Sequence, residues 1–158
     1  MSDTQKAWLE RCIELAKTQA DSGQGGPFAA LVVKNGEIIA EGCNQVTSTN
    51  DPSAHAEVVA IRNACQRLGS FQLDDCEIYT SCEPCPMCLG AIFWARPKAV
   101  YFAATRMQAA AAGFDDEFIY EQITLEGGAR RIPFLHRPLE SANHPFEHWN
   151  HCSNKQDY

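Results

Sequence analysis

The sequence predicts an α/β fold, a β-sheet with helices on both faces. Three observations carry this. Segments patterned as strands alternate with segments patterned as helices, the arrangement that covers both sides of a sheet. The run FAALVV (28–33) is apolar at every position, as in a strand buried on both faces. The 158 residues fit one domain, and a domain of this size buries roughly 70% of the surface its unfolded chain exposes.

The elements follow in order. Trp8, Leu9, Cys12, Ile13 and Ala16 recur at helical spacing, so the chain opens with an amphipathic helix that ends near the Gly-rich stretch DSGQGGP (21–27). FAALVVKNGEIIAEG (28–42) is two apolar runs around Asn35-Gly36, a pair that tolerates positive φ at both positions of a two-residue hairpin turn. After the polar loop QVTSTNDPS (45–53), AHAEVVAIRNACQRLG (54–69) has helical periodicity and a terminal Gly. CEIYTS (76–81) and KAVYFAA (98–104) read as strands flanking a helix, PMCLGAIFWAR (86–96), with Pro86 at its first position and Pro97 beyond its end. The tail carries GFDDEFIYEQ (113–122), a Gly-Gly break and a last helix within PFEHWNHCSNKQDY (145–158). Repeats and linker composition are absent.

Composition narrows the function classes. A net charge of −7, from 20 acidic and 13 basic residues, supplies no basic field for a phosphate backbone, so no nucleic-acid partner is expected. No apolar run approaches the ~20 residues of a membrane span, and the N-terminal segment lacks the uninterrupted apolar stretch of a signal peptide. A cytoplasmic protein without a membrane partner is therefore expected. In a reducing compartment eight cysteines point to burial, metal or catalysis rather than disulfides. Cys12, Cys43, Cys65 and Cys76 sit among apolar neighbours and read as core packing.

The stretch SCEPCPMCLG (81–90) places Cys82, Cys85 and Cys88 three residues apart. With Pro86 as first helical residue, Cys85 is the N-cap and Cys88 lies in the first turn, so these two sulfurs share a helix end whose partial positive charge favours thiolate. Cys82 lies upstream, at the end of a strand. A third ligand must come from elsewhere. His55-Ala56-Glu57 opens the preceding helix, and residues two apart point about 200° from each other at ~3.6 residues per turn, so both can serve one site only from the helix end. Two helix N-termini, one bearing His55 and the other Cys85 and Cys88, could together hold a zinc ion on three protein ligands, leaving a fourth position for water.

H-x-E followed by P-C-x-x-C is the signature of zinc-dependent nucleobase deaminases, and it is complete here. The sequence resembles the cytidine deaminase superfamily and, within it, the bacterial guanine deaminases. GGPFAALVVKNGEIIAEGCNQVTSTNDPSAHAEV, LDDCEIYTSCEPCPMCLGAIFWARPKAV, AAGFDDEFIYEQ and the terminal KQDY carry the likeness. The resemblance implies a three-layer α/β/α sandwich around a five-stranded mixed sheet. It implies one deaminase domain over 1–158, in a homodimer whose C-terminal segments, about 130–158, are exchanged. It implies hydrolytic deamination of free guanine to xanthine and ammonia by zinc-activated water, with Zn²⁺ on His55, Cys85 and Cys88 and Glu57 as proton shuttle.

The same resemblance gives Asn44 a hydrogen bond to the base, Asp116 contact with the exocyclic amine and a part in its proton transfer, Phe28 packing on the ring, and Tyr158 a reach into the partner's site. Trp94 stays open between core and pocket wall. Without the family likeness Asn44 reads as the end of a strand and Asp116 as a solvated acid. Two competing functions share the zinc motif: a deaminase of tRNA adenosine or another small base, and a non-catalytic zinc-stabilised binding module, which would need a fourth ligand such as Cys82 and would leave Glu57 without a role.

Overall fold

A computed structural model describes residues 1–158, which form two compact units, Met1–Asp116 and Glu117–Tyr158. In the first unit β1 (Ala29–Lys34), β2 (Glu37–Cys43), β3 (Cys76–Cys82) and β4 (Ala99–Ala104) form one mixed sheet in the order β2-β1-β3-β4. β1 is antiparallel to β2 and β3, while β3 and β4 are parallel. The α/β class holds, with one correction: the sheet has four strands, not five. After β4, Thr105 caps α5 (Arg106–Ala111) with its side chain, and the next apolar residues have helical spacing and form α6 (Glu117–Thr124). No later segment carries the period of two that a fifth strand needs.

The β1–β2 turn is Asn35-Gly36, with φ of 53° and 77°, as the mirror-image hairpin turn requires. Alternation along β1 then sorts the core into two halves. Leu31 and Val33, with Tyr79 of β3, pack with Cys12, Trp8 and Leu9 of α1 (Asp3–Ser22). Ala30 and Val32, with Ile78, pack with Ala56, Ala60 and Ala64 of α3 (Ala56–Leu68) and with Ile92 and Ala95 of α4 (Pro86–Ala95). The sheet is thus covered on both faces. A four-residue helix, α2 (Val46–Thr49), lies in the loop before α3.

All eight cysteines are free. Cys12 and Cys76 are fully buried and Cys65 is half-buried against the core, as expected of core packing, whereas Cys43 is half-buried outside both core clusters, which corrects the expectation for that residue. Cys43 closes β2, an edge strand.

The second unit holds α6, two 3₁₀ turns at Gly127–Ala129 and Glu140–Asn143, and the expected last helix, α7 (His144–His151). Phe134 N–H donates to the Gly127 carbonyl at 2.9 Å, and a Cβ on Gly127 would fall 2.5 Å from the Phe134 carbonyl oxygen, so glycine is required there. No side chain of 117–158 is buried.

Candidate active site

The centre is built from two helix starts. Cys85 is the N-cap of α4, with Pro86 at the first position, where its missing N–H costs nothing. Cys88, one turn in, is fully buried. His55 is the N-cap of α3 with extended backbone (φ −70°, ψ 155°), which turns its ring off the helix wall, and Glu57 is two residues on. Neither N-cap side chain makes the usual capping hydrogen bond. Both turn to each other instead: His55 Nδ1 is 3.5 Å from Cys85 Sγ and 3.6 Å from Cys88 Sγ. The three ligand atoms lie within 4.8 Å of one another.

These spacings fit zinc. Tetrahedral geometry with Zn–S near 2.3 Å and Zn–N near 2.05 Å sets the N···S edge at roughly 3.6 Å. Cys82 stands apart: its thiol is directed to the Thr105 carbonyl, 3.8 Å away, and it does not belong to the ligand group. With no fourth protein ligand in the group, the arrangement is that of an open site, not of a closed structural one.

The electrostatics follow from crowding ionisable groups in a dry place. Cys85 is lowered to about 4, first by hydrogen bonding from Cys88 and then, against the cost of burial, by His55. Cys88 is held well above the usual thiol range by that same bond to Cys85, by burial and by Glu57. His55 is raised, chiefly by its hydrogen bond to Cys85. Glu57 is buried, with a carboxylate oxygen 3.4 Å from Cys88 Sγ, and desolvation raises its pKa above the ordinary carboxyl value.

Around this centre, Asn44 is buried and its orientation is defined by its contacts. Its Oδ1 accepts the N–H groups of Gly26 (3.2 Å) and Val46 (3.3 Å), which leaves its NH₂ as the group that can donate to a ligand. Phe28 is half-buried and meets Phe114 edge-on, with centroids 4.9 Å apart. Asp116 is half-buried, and its carboxyl is raised by desolvation and then by the charge of Cys85, so it lies within electrostatic reach of the centre. Trp94 does not join the core: it is 63% exposed, on the side of α4 away from buried Cys88, Ile92 and Ala95. Tyr158 is the exposed last residue of the second unit.

Two glycines that the sequence reading passed over seat the site. A Cβ on Gly42 of β2 would fall 2.3 Å from the Ala56 carbonyl oxygen and 2.4 Å from the Ala60 nitrogen, so only glycine lets the first turn of α3 approach the sheet. A Cβ on Gly25 would fall 2.0 Å from the Asn44 carbonyl oxygen. The signal for Gly42 was a glycine inside a strand pattern, a mark of close backbone approach.

Residues 2–104 match the family model of the cytidine and deoxycytidylate deaminase zinc-binding region. The chain is 56% identical to the guanine deaminase of Bacillus subtilis (strain 168) over 97% of its own length and 98% of that protein's. An X-ray structure of guanine deaminase from Bacillus subtilis superposes with a TM-score of 0.96 at 55% identity, covering 100% of this chain and 99% of the other. The tRNA-specific adenosine deaminase of Aquifex aeolicus (strain VF5) is 36% identical over 86% of this chain and 87% of its own.

Proposed function

The chain belongs to the cytidine and deoxycytidylate deaminase zinc-binding family, and we propose that it hydrolyses guanine to xanthine and ammonia at the His55, Cys85 and Cys88 centre. The observation that supports deamination, rather than zinc binding alone, is a buried carboxyl, Glu57, set against a three-ligand group with no fourth protein ligand. The choice of base rests on the likeness to the Bacillus enzyme over nearly the whole of both chains.

Zinc bound by His55, Cys85 and Cys88 supplies Lewis acidity that makes water nucleophilic near neutral pH. Glu57 manages the protons: it accepts one from the attacking water and passes it to a ring nitrogen beside C2, then takes the remaining proton of the added hydroxyl and delivers it to the amino group, which leaves as ammonia. Burial suits it to this cycle, because a raised pKa lets the carboxyl hold a proton and return it. The Asn44 amide donates to an acceptor on the purine, and Asp116 accepts from the exocyclic amine and assists its proton transfer. Phe28 packs on the base. Trp94 and Tyr158 complete substrate enclosure in an assembled dimer.

The dimer is part of the same proposal. Ile132, Phe134, Leu139 and Phe146 are each more than half exposed, which suits a segment, about 130–158, that packs on a second copy. No helix is long and apolar enough to cross a membrane, which agrees with a cytoplasmic enzyme.

Zinc content measured alongside ammonia release tests the reading. Zinc-loaded protein should release ammonia from guanine and little from adenine, cytosine or cytidine, since a buried polar pocket rejects mismatched ligands by up to about 10⁵. Silence on guanine with editing of adenosine in a tRNA anticodon stem-loop would transfer the assignment to the tRNA enzymes. Silence on all substrates would favour the binding module.

A further inference from the structure

We propose that α7 carries a second metal site, in which His144 and His148 chelate a divalent transition-metal ion through their imidazoles. Four of the five histidines in the chain (His136, His144, His148 and His151) lie beyond residue 130, and three are on this one helix. At 100° per residue, His144, His148 and His151 fall within an arc of about 60° on one face. All three are exposed. Phe146 and Trp149 fall on the opposite face, so any surface that covers these two aromatics leaves the histidines in water.

The spacing selects the pair. Two histidines four apart on a helix lie one above the other, the arrangement by which the H-E-x-x-H motif holds zinc. His144 and His151 are roughly 10 Å apart along the axis at ~1.5 Å per residue, too far for one ion to take both. His148 is therefore the common member, and its partner is either His144 or His151. His151 is held back over its own turn: its Nδ1 donates to the Glu147 carbonyl at 2.7 Å, which leaves only its Nε2 for an ion and fixes the ring away from a free rotation toward His148. His144 stands four residues before His148 with a ring that has no such tie, so it is the member free to turn to a shared ion, and the His151 variant tests the alternative pair. Imidazole pairs take Ni²⁺, Cu²⁺ and Zn²⁺, whereas Mg²⁺ and Ca²⁺ demand several oxygen ligands, and on this face Glu147 alone offers a carboxylate. The site is independent of guanine deamination, and its test does not depend on activity.

The test uses full-length, tag-free protein loaded with one zinc per chain, titrated with Ni²⁺ by calorimetry while zinc is followed by elemental analysis. One Ni²⁺ per chain should bind with the zinc retained and with no thiolate charge-transfer band, which separates imidazole ligation from binding at the cysteines. His144→Ala and His148→Ala should each lose that Ni²⁺, and His151→Ala should keep it. Circular dichroism checks that the helix survives each change. Binding that persists in both His144→Ala and His148→Ala, that displaces the zinc, or that brings a thiolate band would overturn the proposal. Loss in His151→Ala but not in His144→Ala would overturn the pairing.

Discussion

Cys82 and Cys85 are three residues apart, yet the backbone gives them opposite work. Cys82 ends a strand with its thiol turned to the Thr105 carbonyl, whereas Cys85 caps a helix with its sulfur turned to His55. Cys82→Ala should accordingly leave zinc near one equivalent per chain by elemental analysis, and Cys85→Ala should lose it. Equal loss in both would show that the third sulfur is a ligand after all. Glu57 is the test of chemistry rather than binding, because it is buried beside the ligands without belonging to their group. Glu57→Ala should keep the zinc and lower turnover by about 10² to 10⁴ or more, the worth of a general acid–base that serves several transfers. Full turnover in a zinc-loaded variant would remove Glu57 from the mechanism. The meeting of His55, Cys85 and Cys88 was legible in the sequence because zinc needs particular side chains at helix ends, and a Pro at the first position marks such an end. The orientation of the Asn44 amide was not legible, because it depends on the N–H groups of Gly26 and Val46 arriving from two other places.

At the scale of elements, the site depends on how closely α3 approaches β2. Alanines at 56, 60 and 64 present a flat helix face, and Gly42 receives it. Gly42→Ala must push back the Ala56 carbonyl and the Ala60 nitrogen, which belong to rigid backbone and cannot rotate aside. Overpacking of this kind costs about 1–3 kcal/mol, and here it should also displace His55 and Glu57. The expected outcome is a lower thermal midpoint together with weaker zinc retention against a chelator; a variant with unchanged melting and zinc affinity would show that α3 tolerates the shift. The elements themselves were readable where local chemistry decides them: Asn35-Gly36 for the turn, Pro86 for a helix start, a both-sides-apolar run for a central strand. The fifth strand was not written in any period-2 pattern, and it came only from family likeness. The structure places helix α6 in that part of the chain.

The whole molecule leaves one imbalance. Residues 1–116 bury a two-sided core, whereas residues 117–158 bury no side chain at all and expose Phe118, Phe134, Phe146 and Trp149. Burying a large apolar side chain is worth about 1.5–3 kcal/mol, so a segment carrying this many has strong reason to pack on another copy. If a second copy covers the tail, as proposed, no sequence pattern within one chain reports that packing, because the covering residues then belong to another chain. Exchange makes a specific demand on the terminal residues. If the tail of one chain closes the site of the other, deleting Asp157 and Tyr158 should abolish turnover while leaving zinc content and the melting midpoint close to those of the intact protein. Mixing tail-deleted chains with Glu57→Ala chains, each inactive alone, should then restore activity, since a mixed dimer contains one site with an intact Glu57 closed by an intact tail. The other site in that dimer lacks both, so restored turnover should approach half that of the intact dimer. Mixed dimers isolated by two different affinity tags and still inactive would show that each tail serves its own chain.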